Sequence, residues 1–79
     1  HYTPVNLDRL DVFAAGDEVS PDTLAEAGII KSPGELVVVL GRGELDHPLA
    51  VKAHRFSASA REKIVGTGGT VEVLPLRRG

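Results

Sequence analysis

The sequence contains no cysteine, no methionine and no tryptophan. Without cysteine there is neither a disulfide nor a zinc–thiolate staple, and a small chain without staples fits a reducing cytosol. Aromatic residues are limited to Tyr2, Phe13 and Phe56. Phe13 and Phe56 fall in apolar patterns, which leaves no platform on which nucleobases could stack. No apolar run approaches the roughly 18 residues of a membrane span. The amino end carries no signal-peptide pattern. Starting at His1 with no methionine anywhere, the chain reads as a fragment, a processed product or an excised domain.

What is present is enough for one domain, expected over residues 1–76, followed by a basic tail at 77–79. A chain of 79 residues buries only about 60% of its unfolded surface, so its stability should be modest. Net charge is −2, which does not advertise a polyanion partner, but its distribution is uneven. Residues 1–30 hold six acids (Asp8, Asp11, Asp17, Glu18, Asp22, Glu26) and one base, Arg9. Residues 31–79 hold eight bases and five acids. A bipolar domain could lay one face on a polyanion; ordinary scatter of charge on a solvated surface is the simpler account of the same numbers.

The organising stretch runs from Leu36 to Leu74. Leu36 to Leu40 is apolar without alternation, which predicts a strand covered on both faces. Gly41-Arg42-Gly43 reads as a hairpin turn. A second strand over 49–54 would turn Leu49, Val51 and Ala53 to one side, and Ala50, Lys52 and His54 to the other. Ser57 then caps a helix, with Ser59 and Glu62 as a competing capping box. Phe56, Ala60 and Ile64, four apart, should bury together. Gly68-Gly69 ends the helix, and Val71 and Val73 give a last strand its core face. Upstream, Asn6 and Ser20 are N-cap candidates, Pro21 suits a first helical position, and Gly28 should leave its helix with positive φ. The class is α/β: a compact small domain of irregular strand–strand–helix turns, with a short, mostly buried sheet and three short helices.

Chemistry is sparse. His54 and Ser57 are three apart, but no Gly-x-Ser-x-Gly elbow supports a nucleophile. Ser57 serves better as a cap, and no enzyme activity is expected. His47 and His54 lack a second ligand at metal-binding spacing. Gly41-Arg42-Gly43 lacks the Gly-Lys-Ser/Thr ending of a phosphate loop. Neither metal nor cofactor is expected, and no small-molecule substrate. What remains is phosphate contact by Lys, Arg and His, with backbone N–H groups at helix starts.

The ordered strings LGRGEL, LAVKAHRFSASA, Ile64 and GGTVEV, with YTPVNLDRLDVF and EVSPDTLAEAGII upstream, resemble the C-terminal globular domain of the large-subunit ribosomal protein family fifteen, related to the archaeal and eukaryotic eighteen-e family. The resemblance covers almost the whole chain. It implies a structural ribosomal protein of the cytoplasm that binds large-subunit ribosomal RNA, aids subunit assembly and touches neighbouring large-subunit proteins. On that basis RNA contact is expected at Arg42, His47, Lys52, His54, Arg55, Arg61 and Lys63. Lys52, His54 and Arg55 lie in the family-like VKAHRF string and Arg42 in LGRG, whereas His47, Arg61 and Lys63 rest on charge and position. Two departures weaken the expected affinity. These 79 residues do not include the family's basic, glycine-rich amino-terminal arm, and Val38 stands where the family usually has lysine. The competing reading is a protein-interaction domain that uses its acidic first half.

Overall fold

The computed structural model describes residues 2–76; the expected basic tail lies outside them. The strands are β1 (Thr3–Asn6), β2 (Glu18–Val19), β3 (Val37–Leu40), β4 (Ala50–Ala53), β5 (Arg55–Phe56) and β6 (Thr70–Val73). A 3-10 helix (Leu7–Val12) follows β1, α1 (Pro21–Glu26) follows β2, and α2 (Ala58–Gly66) follows β5.

Strands alternate strictly between two sheets. One has the order β1-β3-β5, the other β2-β4-β6, and every pairing is parallel. The described chain therefore makes three stacked coils, each laying one strand in each sheet. Parallel neighbours need a long connection between them, and here the opposite sheet supplies part of it. The pairing stacks like upon like. Val5, Val39 and Phe56 form one column, and Val19, Val51 and Val71 another. Val5, Val39, Val19 and Val51 join Leu7, Leu10, Leu24, Leu49, Ala60 and Ile64 in one buried cluster.

Local chemistry fixes the helix ends. Ser20 accepts from the Thr23 N–H, and Thr23 returns the bond to the Ser20 N–H, with Pro21 behind the cap. Gly28 takes a φ of 78° just past α1. Ser57 accepts from the Ala60 N–H, so the helix starts there and not at Ser59. Asn6 makes no side-chain cap; the short 3-10 turn after it closes without one.

Three sequence expectations change. Gly41–Gly43 is no hairpin, because β3 and β4 belong to different sheets. In β3, Val37 and Val39 are buried while Val38 and Leu40 are half-buried; the strand alternates in burial although its sequence does not. Val73 is 55% exposed; β6 is an edge strand, paired on one side only, with β4.

Gly69 marks a close approach of backbone to backbone between coils. A Cβ there would overlap the Leu49 carbonyl oxygen, and would stand 2.9 Å from the Leu49 nitrogen and 3.1 Å from the Ile64 oxygen. These are backbone atoms and cannot swing away. Around Gly28 nothing lies within 4 Å, so only conformational strain opposes a side chain. Gly69→Ala should cost about 2–3 kcal/mol and Gly28→Ala about 1 kcal/mol. Urea denaturation of both variants checks this; equal midpoints would mean that β6 can retreat from β4 without loss.

Candidate nucleic-acid interface

His54 stands where the chain passes from one sheet to the other. β4 ends at Ala53, β5 begins at Arg55, and His54 alone makes the crossing. Its backbone N–H donates to the Val37 oxygen at 2.9 Å. Its ring Nδ1 accepts the Val37 N–H at 3.0 Å. Val37 is fully buried, so both its peptide groups need protein partners, and His54 supplies them. As an acceptor, Nδ1 leaves the ring proton on Nε2. His54 is thus a ladder element with one N–H to spare.

Lys52 and His54 take the outward register expected of them, both half-buried. They line a groove of about 470 Å3 together with Glu18, Asp22, Leu36 and Leu74. Lys52 Nζ lies 3.2 Å from Glu18 Oε2. That hydrogen bond, with the Glu18 and Glu72 charges, raises the Lys52 pKa above its ordinary value.

The connections from the first sheet to the second stack like the strands: the 3-10 helix, then loop 41–49, then α2. The loop is pressed from both sides. A Cβ on Gly43 would come within 2.7 Å of the Asp8 Cβ, and one on Gly41 would overlap the Ser59 side chain. The Asp8 N–H donates to the Arg42 oxygen at 3.2 Å. From the other side Lys63 Nζ donates to the Gly41 oxygen at 2.9 Å and the Gly43 oxygen at 2.8 Å, with Glu44 at 3.3 Å. The Gly-x-Gly string is therefore a thin wedge between two legs, and one ammonium ties its carbonyls. Arg42, between the glycines, is exposed.

His47 pins the far end of the same loop. Nε2 meets the Phe13 oxygen at 2.8 Å and Nδ1 meets Asp46 Oδ1 at 2.7 Å. Both partners are acceptors, so the doubly protonated ring satisfies both. The Asp46 hydrogen bond first, then the Phe13 carbonyl, raise the His47 pKa from its ordinary 6.5, against a smaller desolvation penalty. The same contact lowers the Asp46 pKa.

The seven candidate residues are thus not equivalent. His47, Lys52, His54 and Lys63 each have a partner within the protein. Arg42, Arg55 and Arg61 are exposed and make no ion pair among the described residues. Arg55 instead stands 5.5 Å from the Tyr2 ring centroid, a cation–π contact. Tyr2 was not singled out from sequence. Only the stacking of β5 on β3 and β3 on β1 brings these two residues together, and no local pattern announces it. The charge asymmetry becomes spatial. The first coil, residues 3–36, holds seven carboxylates and two cations, Arg9 and Lys31. Residues 37–76 hold five cations and four carboxylates, less basic than residues 31–79 as a whole because Lys31, Arg77 and Arg78 fall elsewhere. Among the described residues no His/Cys/Asp/Glu group could hold a metal ion, and no helix is long and apolar enough to cross a membrane.

Residues 4–72 match the model of a family described as ribosomal proteins 50S-L15, 50S-L18e, 60S-L27A. The match runs from β1 to β6 and includes both sheets and all seven candidates.

Two outcomes follow from the histidines. His54→Ala should strand the buried Val37 N–H and cost about 1–3 kcal/mol, while His54→Asn, whose oxygen can accept the same N–H, should recover much of it. Chemical denaturation of both decides; equal losses would remove the ladder role. For His47 the folded pKa is raised, so its contribution is fully present below the unfolded value of 6.5 and fades as pH rises through the folded value. The stability gap between wild type and His47→Gln should therefore be widest in acid and shrink in alkali. A gap independent of pH would show that the ring is not charged in the fold.

Proposed function

The chain belongs to this family of structural proteins of the large ribosomal subunit, and we propose that within the subunit it binds ribosomal RNA through the arginines of its second and third coils and so aids subunit assembly. The observation that carries this reading is the division of labour among the cations. Lys63, Lys52 and the two histidines hold the protein together, whereas Arg42, Arg55 and Arg61 face solvent without a carboxylate partner among the described residues. Arginine suits phosphate, since its planar fork donates two parallel hydrogen bonds. The N–H of Nε2 on His54 and the ammonium of Lys52 lie beside the groove and can add polar contacts, and His47 and Lys63 act by holding loop 41–49 in place.

Such an interface recognises the shape of folded RNA. Phosphate contacts position a protein but carry no sequence information, and no stacking platform accompanies the arginines. Contacts with neighbouring large-subunit proteins would use other faces of the stack. The role needs no catalysis: Ser57, three residues after His54, accepts the Ala60 N–H as the α2 cap.

Each phosphate neutralised releases condensed counterion, so affinity should fall as salt rises. With few contacts the dissociation constant should be roughly micromolar or weaker at physiological salt. Replacing Arg42, Arg55 and Arg61 together by Gln should weaken binding to every structured RNA tested and flatten the log–log salt slope by about 2–3. Lys31→Gln, on the acidic coil, should change little. The measurement is a fluorescence titration against a large-subunit RNA fragment at several salt concentrations. An unaltered slope in the triple variant would remove these arginines from the interface.

A further inference from the structure

The groove beside Lys52 has a neighbour. A second hollow of about 490 Å3 is lined by Phe13, Asp17, Glu18, Thr23 and Glu26. Glu18 borders both hollows, and α1 forms the ridge between them, with Asp22 at the first and Glu26 at the second. The two hollows meet at Glu18 and are otherwise parted by α1; together they form a strip with carboxylates in each half, and its first half also takes in Lys52, His54, Leu74 and Pro75 of the later coils. Those carboxylates are poorly compensated. Glu18 has Lys52, but Asp17, Asp22 and Glu26 form no ion pair among the described residues. Asp22 and Glu26 sit one helical turn apart, where like charges repel, and the last turn of α1 has no basic residue.

We propose that this strip is a docking site for an extended basic segment of a protein partner. The argument is charge complementarity combined with shape. Phosphate would meet Asp17, Asp22 and Glu26, which have no ion pair among the described residues, whereas lysine or arginine relieves their repulsion. Phe13 is half-buried in the wall of the second hollow, and its ring face suits a guanidinium. In the first hollow Pro21, Pro33, Leu36 and Leu74 offer an apolar seat. Asp22 and Glu26 are separated by roughly 6 Å. Alternate side chains of an extended peptide are about 7 Å apart and point the same way. A segment with basic residues two positions apart, such as alternating arginine and an apolar residue, therefore matches the Asp22–Glu26 spacing. This inference uses none of the three arginines assigned to RNA; the residues it shares with the RNA face are Lys52 and His54, at the rim of the first hollow.

The test uses the 79-residue chain and a labelled peptide of alternating arginine and leucine, with a glutamine-for-arginine peptide as control. The arginine peptide should bind, more weakly as salt rises, and should shift the backbone amides of Phe13, Glu18, Thr23 and Glu26. Asp22→Asn with Glu26→Gln should weaken it roughly tenfold while leaving RNA titrations unchanged. Glu26→Lys, which suits the C-terminal end of a helix, is a second variant expected to fold and to lose the peptide. Equal binding of the glutamine peptide, unchanged affinity in the variants, or shifts confined to Arg42 and Arg61 would each overturn the proposal. So would displacement of the peptide from Phe13 and Glu18 by the RNA fragment, which would give this face to nucleic acid.

Discussion

Val37 offers a peptide N–H and a carbonyl to a neighbouring chain that is leaving one sheet for the other, and His54 takes both. Everything downstream depends on that crossing. If the chain after Ala53 ran on in its own sheet, β5 could not pair with β3, and α2 would not return over loop 41–49. The N–H and C=O of Val37 are buried among hydrophobic groups, where an unmade hydrogen bond costs more than a made one contributes. A side-chain nitrogen serves as the missing acceptor. The crossing occupies a single residue, and the contrast with the long α1 connection one coil earlier opens the groove beside it.

The same economy governs the cations. A small domain without staples must use its polar side chains to close the backbone groups that irregular legs leave open. Glu35 shows this in the first coil, taking Thr3 with one oxygen and the N–H groups of Lys31 and Ser32 with the other. Its pKa is lowered, chiefly by the Thr3 bond. Lys63 does the converse for the carbonyls of Gly41 and Gly43. Side chains committed in this way are less available to a partner, and of the seven candidate residues Arg42, Arg55 and Arg61 are the ones left uncommitted among the described residues.

Much of this was legible in the sequence where the deciding interaction is local. The caps at Ser20 and Ser57, the glycine exit at Gly28 and the outward register of Lys52 and His54 each involve residues within a few positions of one another. What the sequence concealed is non-local. Gly41–Gly43 carries the signature of a hairpin, yet its glycines answer to Asp8 on one side and Ser59 on the other. Val38 looks as apolar as Val37, and only the side of β3 on which the shared core lies decides which of them is covered. His47, Lys52, His54 and Lys63 are ordinary polar residues in sequence. Their duties appear once Phe13, Glu18, Val37 and Gly41 are brought beside them. The charge halves were visible, but not that Lys31 would fall on the acidic coil.

The wedge of Gly41 to Gly43 has one more consequence, which concerns entropy. A loop without helix or strand ordinarily has conformational freedom to lose when it meets a ligand, on the order of 1–2 kcal/mol for each residue fixed. Here the backbone on both sides of Arg42 is clasped by the 3-10 helix below and by the Lys63 ammonium above. Its disorder was removed during folding. A phosphate reaching Arg42 has only the side chain left to order, so even a weak contact there is drawn from a backbone already in position.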